Sequence, residues 1–298
     1  MKIGIDGGGT KTELILVDDE GTVVARHVAG GCNPNVVGAD QARAILDEAI
    51  DALLTTVEGP GADLPVQHTL LCMAGAPAFW RDVAAGLQGL GRVETYDDSR
   101  PVLELATSGG PGLVLHGGTG SFVAARGNDG AVHYAGGLGW RLGDAGSGYD
   151  LGRRMLTRAL LELQGWAVPT RLSQCVRDFC HLMEEGAIKR YFYQHAEPNR
   201  QIASLAPILL RLASEGDDTA RWVVRESCCE LLTLAVSVAQ RIFREEERAG
   251  LRCGVSGPVL THPEALEVLR VHSPFGLEAI SLPPIEGVRL LLRGLRSG

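Results

Sequence analysis

The chain has 298 residues, 45% hydrophobic and 21% charged, a balance typical of a folded globular protein. Its 28 lysines and arginines are outnumbered by 36 aspartates and glutamates, which gives a net charge of −8. This balance argues against nucleic acid or an anionic membrane as the main partner, and no apolar stretch approaches the roughly 20 residues of a spanning helix. No signal-peptide pattern is visible, so we expect a cytoplasmic protein.

The first third of the chain reads as a three-stranded meander followed by alternating helices and strands. Period-two patterns predict strands, and apolar residues at helical spacing predict helices. The predicted strands are residues 2–5, 13–18, 23–27, 69–74 and 92–96, and the predicted helices are 39–57, 80–87 and 102–106.

The plan of the opening stretch then recurs. "IGIDGGGTKTELILVDDEGTVVARHVAG" and "GLVLHGGTGSFVAARGNDGAVHYAGG" share a strand, a glycine-rich turn, a second strand and an acidic-Gly turn. Thr10 and Thr119 are 109 residues apart, and so are Gly21 and Gly130. Two unrelated meanders can look alike, but the common offset favours a duplicated domain.

The rest of the chain is mainly helical, with helices predicted at 151–163 and 220–243, before a return to strand, glycine turn and helix from residue 251. We therefore predict an α/β protein of two domains, residues 1–108 and 109–298. The second domain carries a helical insertion, and its final helix is free to pack back on the first domain.

The first glycine-rich turn has the composition of a phosphate site. The carboxylate of Asp6, at a strand end, suits Mg²⁺, and backbone N–H groups can reach phosphate oxygens where no side chain intervenes. A plain glycine-rich hairpin is the alternative, and the spacing fits neither the Walker nor the dinucleotide pattern. The residues proposed to bind the nucleotide here are Gly8, Gly9, Thr10 and Lys11.

A second such turn in the other half strengthens the phosphate interpretation. Two loops, one in each duplicated half, can grip a nucleotide such as ATP across a cleft. A third glycine bend, at Gly257, leads into a helix and is a candidate for seating the adenosine. The residues of the second loop are Gly118, Thr119, Gly120 and Ser121.

These motifs together resemble a known group. The paired loops and the duplicated meander are similar to the sugar kinase, actin and heat-shock chaperone ATPase superfamily. "DGGGTKT", "CNPNVVG", "YDD", "GGTGS" and above all "GGLGWRLGDAGSGYDLGR" resemble the N-acetylglucosamine kinase and BadF/BadG/BcrA/BcrD ATPase family. The resemblance implies two ribonuclease H-like (actin-like ATPase) domains around a nucleotide cleft, with ATP and Mg²⁺ as cofactors and a homodimer as an expected assembly.

By this resemblance a carboxylate deprotonates a sugar hydroxyl. "VETYDDSRPVLELA" supplies Asp98, which the family's spacing favours as the catalytic base, although Asp97 stays open. Either aspartate, or Ser99, is also suited to capping the helix that follows.

The resemblance also assigns a sugar side to Asn33, Asp144 and the backbone near Gly137, and the strand-end bend at Gly75 is expected to line the same cleft. Two departures lie there. The family usually has Trp where this chain has Leu138, and Glu where it has Ala145. Pro258, where a second glycine is common, is a further departure, at the adenosine turn.

The leading hypothesis is an ATP-dependent kinase of a hexose, with an amino sugar such as N-acetylglucosamine or glucosamine as the small-molecule substrate. One alternative is an ATPase that drives a conformational change, like the activators of 2-hydroxyacyl-CoA dehydratases. Those activators hold an iron–sulfur cluster between subunits, and the seven scattered cysteines of this chain offer no convincing ligand pair. The other is a degenerate sugar sensor, suggested by Leu138 and Ala145.

Overall fold

A computed structural model describes residues 1–56 and 65–295. In these residues the strands are β1 (Lys2–Gly7), β2 (Lys11–Val17), β3 (Val23–Gly30), β4 (His68–Met73), β5 (Arg92–Asp97), β6 (Gly112–Gly117), β7 (Ser121–Arg126), β8 (Val132–Gly136), β9 (Arg252–Ser256) and β10 (Leu277–Ala279). The helices are α1 (Pro34–Val37), α2 (Ala39–Thr55), α3 (Pro77–Gly86), α4 (Ser99–Thr107), α5 (Gly148–Leu163), α6 (Arg171–Cys180), α7 (Glu185–Tyr193), α8 (Pro198–Ala203), α9 (Ala206–Ser214), α10 (Asp218–Ile242), α11 (Glu245–Arg248), α12 (Pro263–His272) and α13 (Pro284–Gly294).

The chain divides into two compact units. The first contains Met1–Gly109 and the segment that begins at Leu282, and the second contains Gly110–Ser281. The sequence division instead assigned residues 109–298 to the second domain. The two differ in the last segment, because α13 packs on the sheet of the first unit.

The first unit is a five-stranded sheet with helices on both faces. Its order is β3-β2-β1-β4-β5, with β1, β4 and β5 parallel and the β1-β2-β3 meander antiparallel. Since side chains alternate across a strand, Leu71 and Met73 pack towards α2 and α3, whereas Leu70 and Cys72 pack towards α13. Burial on both faces explains why β4 reads as an apolar run.

Helix α13 is held to the first strand by a buried cation. The ammonium group of Lys2, only 6% exposed, donates hydrogen bonds to the carbonyl oxygens of Leu292 (3.1 Å) and Leu295 (2.6 Å). Carbonyls at a helix C-terminus lack partners within the helix, so a lysine there supplies both donors and favourable charge. On the same strand, the absence of a side chain at Gly4 leaves room for Val288 and Leu292 of α13.

The second unit repeats the topology of the first. Its sheet has the order β10-β9-β6-β7-β8, in which β6, β7 and β8 form the antiparallel meander and β9 and β10 run parallel to β6. Helices α5, α6, α9, α10 and α12 contribute to its core. The two sheets thus have the same strand order and directions, as the sequence repeat predicted.

The repeat contains a one-residue difference in its turn. β1 pairs with β2 as far as Gly7 and Thr12, whereas β6 pairs with β7 as far as Gly117 and Ser121, so the second turn is one residue shorter. The strands before the turns are therefore offset by 110 residues and those after them by 109. By this alignment His116 in β6 corresponds to Asp6 in β1, and both are the one partly buried residue of their strand.

Element bounds differ from the predictions mainly at the ends. Helix α3 starts three residues earlier than predicted because Pro77 is suited to a first turn, and α4 starts three residues earlier, directly after Asp98. The sequence predicts that helix α2 ends at Val57, which lies outside the described residues. In the part of the chain that the structure describes, no helix is long and apolar enough to cross a membrane.

The packing of α13 on α4 depends on a glycine. A Cβ at Gly287 would lie 2.1 Å from the carbonyl oxygen of Pro101, so an alanine must push the two helices apart. We expect Gly287→Ala to lower the free energy of unfolding by about 1–3 kcal/mol, measured by urea denaturation.

Gly294→Ala is the matched control on the same helix. A Cβ at Gly294 meets no atom within 4 Å, so alanine there should be neutral or stabilising by about 0.4–1 kcal/mol. Equal stability of the two variants would contradict the described packing of α13 against α4.

Candidate functional site

The predicted site residues of the first unit gather at one edge of its sheet. The parallel register pairs Gly7 with Met73 and Met73 with Asp97, so β1, β4 and β5 end side by side. The carboxyl ends of parallel strands are where ligands bind in open α/β sheets. This edge, called here the first-unit edge, carries Asp6, the loop 8–11, Asn33, Gly75, Asp97 and Asp98.

Asp6 is a carboxylate in an environment that disfavours its charge. Burial raises its pKa to about 7, with a further contribution from the charge of Asp98, while Lys11 acts in the opposite direction. The Lys11 ammonium group is itself bonded to Glu13 (Nζ to Oε2, 2.8 Å). A divalent cation at this position would relieve the repulsion between the two carboxylates.

Asp97 and Asp98 have different surroundings. The Oδ1 atom of Asp97 accepts hydrogen bonds from the backbone N–H (3.0 Å) and the hydroxyl of Ser99, a turn that fixes the start of α4. Asp98 occupies the N-cap position, yet its side chain makes no capping hydrogen bond. Burial, followed by the charge of Asp97, raises the pKa of Asp98 to about 7.

The loop 8–11 is a tight turn supported from below. Gly8 donates a backbone hydrogen bond to the carbonyl of Lys11 (2.9 Å), and its own carbonyl accepts one from Cys32 (3.1 Å). The bond from Cys32 places Asn33, the next residue in the chain, close to this loop. Its backbone is placed by main-chain bonds, which is what a phosphate-binding turn requires.

Asn33 lies against Gly75. The Oδ1 atom of Asn33 caps α1 by accepting from the N–H of Asn35 (2.9 Å), and it would lie 2.6 Å from a Cβ at Gly75. Gly75 has a φ of +100°, so a side chain there would be strained as well as crowded. The amide nitrogen of Asn33 is the part left to donate to a ligand.

The second-unit loop, residues 118–121, is bound along its length by the segment 144–149, which we call the motif segment. Gly148 and Tyr149 donate backbone hydrogen bonds to the carbonyls of Gly118 (2.7 Å) and Thr119 (3.2 Å). The hydroxyl of Ser121 donates to the carbonyl of Ala145 (2.7 Å). Since the motif segment holds the carbonyls of the loop, the position of the loop depends on it.

The remaining second-unit predictions converge on the same loop. Gly137 donates its N–H to the carbonyl of Ser121 (3.1 Å). An Oδ2 atom of Asp144 would lie 3.1 Å from a Cβ at Gly120, and a Cβ at Gly257 would lie 2.4 Å from the carbonyl oxygen of Gly117. The structure thus brings together all the residues predicted in the second half.

The two departures from the family pattern have distinct environments. Leu138 is 62% exposed, so the position where the family usually has tryptophan presents an aliphatic group to solvent. The side chain of Ala145 packs against the core of the second unit, while its carbonyl is bonded to Ser121. Neither supplies the aromatic ring or the carboxylate of the usual pattern.

His116 is a residue that the sequence analysis missed. Its Nδ1 is hydrogen-bonded to the hydroxyl of Ser256 (2.8 Å), and its ring stacks on Phe122 with centroids 4.8 Å apart. Burial lowers its pKa to about 4, so the imidazole is neutral at pH 7. Aligning the strands rather than the turns of the repeat would have identified it as the counterpart of Asp6.

Asp150 and Ser227 were also missed. Asp150 is only 3% exposed and accepts from Arg153 and Arg154, while Ser227, fully buried on α10, bonds both Asp150 and the N–H of Gly146. Asp150 lies in "LGDAGSGYDLGR", the stretch with the strongest resemblance to the family, and this resemblance could have drawn attention to it. Ser227 gave no signal, because it is 77 residues away in the chain.

Within the described residues, no group of three or more His, Cys, Asp or Glu side chains is arranged to hold a metal ion. Magnesium does not require such a cluster, since it is usually bound through one or two carboxylates together with waters and substrate phosphates. The half-buried carboxylate of Asp6, repelled by Asp98, fits that description.

Two sheets of the same mixed order, each with a glycine-rich turn after its first strand, define an actin-like ATPase fold. The model of the BadF/BadG/BcrA/BcrD ATPase family matches residues 3–285, and the chain belongs to this family.

The chain is similar to curated and solved members. It is 26% identical over 262 residues to an N-acetylmuramic acid/N-acetylglucosamine kinase of Clostridium acetobutylicum, covering 84% of this chain and 82% of that protein. It is 28% identical over 258 residues to an N-acetyl-D-glucosamine kinase of Dictyostelium discoideum, covering 82% and 81%. The crystal structure of a Chromobacterium violaceum protein provisionally named an N-acetylglucosamine kinase superposes with a TM-score of 0.78 at 25% identity, covering 97% and 98%.

Asp144 provides a test of the electrostatics described for the second unit. Burial raises its pKa from 3.8 to about 6 against the lowering effect of the Gly139 hydrogen bond. The folded protein therefore retains a proton that the unfolded chain releases between about pH 4 and pH 6, and stability falls as the pH rises through this range. We expect Asp144→Asn to stabilise the protein by about 2 kcal/mol at pH 7.5 and much less at pH 4.5, measured by denaturation at each pH.

Asn at position 144 keeps the Oδ1 acceptor for the N–H of Gly139 (3.1 Å). Asp129→Asn is the control, since Asp129 is exposed and its Oδ1 accepts similarly from the N–H of Ala131 (2.9 Å). A stabilisation of Asp144→Asn that does not change with pH would show that burial of the charge is not its cause.

Proposed function

We propose that the protein is an ATP-dependent kinase that phosphorylates a hydroxyl of an amino sugar, with N-acetylglucosamine as the first candidate. The observation that carries this proposal is Asp98, a half-buried carboxylate at the first-unit edge whose capping role has been taken over by Asp97. The names of the two curated relatives support the class of acceptor.

Asp98 is the proposed catalytic base. Its carboxylate accepts the proton of the attacking sugar hydroxyl, whose oxygen forms a bond to the γ-phosphorus of ATP. The bond from that phosphorus to the bridging oxygen breaks, and ADP leaves with its electron pair. A burial-raised pKa suits a general base that must take a proton near neutral pH.

The proposed nucleotide contacts use the backbone more than side chains. Gly8, Gly9, Thr10 and Lys11 in the first unit, and Gly118, Thr119, Gly120 and Ser121 in the second, present turns suited to phosphate oxygens. Gly257 is proposed to border the adenosine. Membership in an ATPase family supports ATP as the nucleotide.

Asp6 is proposed to hold Mg²⁺, directly or through water. When bound, the ion would neutralise charge on the β- and γ-phosphates. Asp98 adds a second negative charge close to Asp6, and the attraction of both carboxylates favours a cation at this position.

Asn33, Gly75, Gly137 and Asp144 are the proposed acceptor contacts. Asn33 and Gly75 already touch, which supports a shared sugar contact in the first unit. In the second unit Leu138 and Ala145 alter the usual pattern, so the acceptor preference of this chain is expected to differ in detail from that of its relatives. The cytoplasmic location and the homodimer remain predictions.

The proposal is tested by incubating the protein with Mg·ATP and N-acetylglucosamine, glucosamine, N-acetylmuramic acid or glucose, while ADP and phosphosugar are followed together. We expect sugar-dependent ADP release with equal phosphosugar. Asp98→Asn should lower kcat by about 10²–10⁴-fold, because the hydroxyl proton then has no acceptor.

Asp97→Asn is the control, because an asparagine Oδ1 can still accept both bonds from Ser99. It should retain activity within about tenfold of the wild type. A larger loss in Asp97→Asn than in Asp98→Asn would reverse the assignment of the base. Sugar-independent ADP release would favour the ATPase alternative, and nucleotide binding without turnover would favour a sensor.

Asn33→Asp distinguishes the role of the amide oxygen of Asn33 from that of its amide nitrogen. The aspartate keeps an oxygen to cap α1 at the N–H of Asn35, but it loses the amide donor. We expect the KM for the sugar to rise about tenfold or more, the size of one lost hydrogen bond to a polar ligand, with little change in melting temperature. An unchanged KM would remove Asn33 from the acceptor site.

A further inference from the structure

The motif segment is anchored to the core of the second unit at one buried point. The N–H of Gly146, in the middle of the segment, donates to the hydroxyl of Ser227 on α10 (2.9 Å). Ser227 is fully buried, so no water competes for this bond. The motif segment donates hydrogen bonds to the carbonyls of the second-unit loop. The bond from Gly146 to Ser227 therefore also helps to fix the position of the loop.

The direction of the bond is fixed by Asp150. The Ser227 hydroxyl donates its proton to Oδ2 of Asp150 (2.7 Å), because a carboxylate can only accept. Its lone pairs are then the part that faces the N–H of Gly146. A hydroxyl is the smallest side-chain group that can both donate and accept in this way.

Asp150 is in turn fixed by two arginines. Arg153 donates to its Oδ1 (2.6 Å) and Arg154 to its Oδ2 (2.6 Å), so the buried charge is paired and both oxygens are oriented. Arg154 also reaches Glu230, one turn further along α10, which gives α5 and α10 a second link. This second link does not involve the motif segment.

We propose that Ser227, oriented by Asp150, is a positioning residue that sets the second-unit loop for binding nucleotide phosphate. This inference rests on the proposed function, because it takes the loop at Gly118–Ser121 as a phosphate site. Ser227 touches no substrate in this scheme. It acts through Gly146 and the motif segment on the backbone donors of the loop.

The test is Ser227→Ala, with ADP affinity measured by isothermal titration calorimetry in the presence of Mg²⁺. The substitution leaves the N–H of Gly146 buried without its partner, and we expect the loop to shift. The Kd for ADP should rise about tenfold, and the KM for ATP should rise equally. Ser227→Cys, which keeps the shape with a slightly larger group that is a weaker donor and acceptor, should give an intermediate Kd and serves if the alanine variant does not fold.

Val224→Ala is the stability control. Val224 is buried one turn earlier on α10, and its aliphatic side chain can neither donate nor accept a hydrogen bond. It should lower the melting temperature comparably but leave the Kd for ADP within twofold. Ser237→Ala, on the exposed face of the same helix, should change neither quantity.

Two results overturn the inference separately. A Ser227→Ala protein that binds ADP as the wild type does, with a melting temperature lowered as in Val224→Ala, shows that Ser227 only stabilises the fold. A wild-type protein that binds no ADP overturns the proposed function, and this inference with it.

Discussion

Two carboxylates at one edge of the first sheet repel each other where little water can screen their charge. Burial raises the pKa values of Asp6 and Asp98 to about 7, with a further contribution from the charge of Asp98 at Asp6 and from the charge of Asp97 at Asp98. Asp6 is fixed by β1, which is packed on both faces, and Asp98 by the turn of Asp97 into α4. The first unit thus maintains an unfavourable charge arrangement that a cation and a proton-bearing substrate can relieve.

The second unit has the same sheet topology but different residues beside its glycine turn. The position of Asp6 is occupied there by His116, whose burial keeps it neutral, so the strand before the glycine turn supplies no carboxylate. The turn is instead fixed by main-chain bonds from the motif segment. The two halves have therefore diverged at this position, with a buried carboxylate in the first unit and a neutral imidazole in the second.

The sequence predicted local features well. The meanders, both glycine turns and the duplication follow from short-range patterns, and the structure has them all. The sequence left both Asp97 and Asp98 open as the catalytic base, because both precede a helix. Their side chains differ in one respect, that Asp97 accepts the hydrogen bond from the N–H of Ser99. The sequence could not find Ser227, whose partners Gly146 and Asp150 are separated from it by 81 and 77 residues. Long-range contacts of this kind leave no periodic trace in the chain.

The return of α13 to the first sheet has a consequence for biosynthesis. Residues 110–281 are continuous in the chain, so the second unit can fold as soon as it has left the ribosome. The first unit cannot, because Lys2 waits for carbonyl oxygens 290 and 293 residues downstream. Until residue 295 is synthesised, Ile15, Leu70 and Cys72 lack their cover, and the earliest strands made are the last to be completed. One apolar face of the first sheet therefore stays uncovered until α13 has been made.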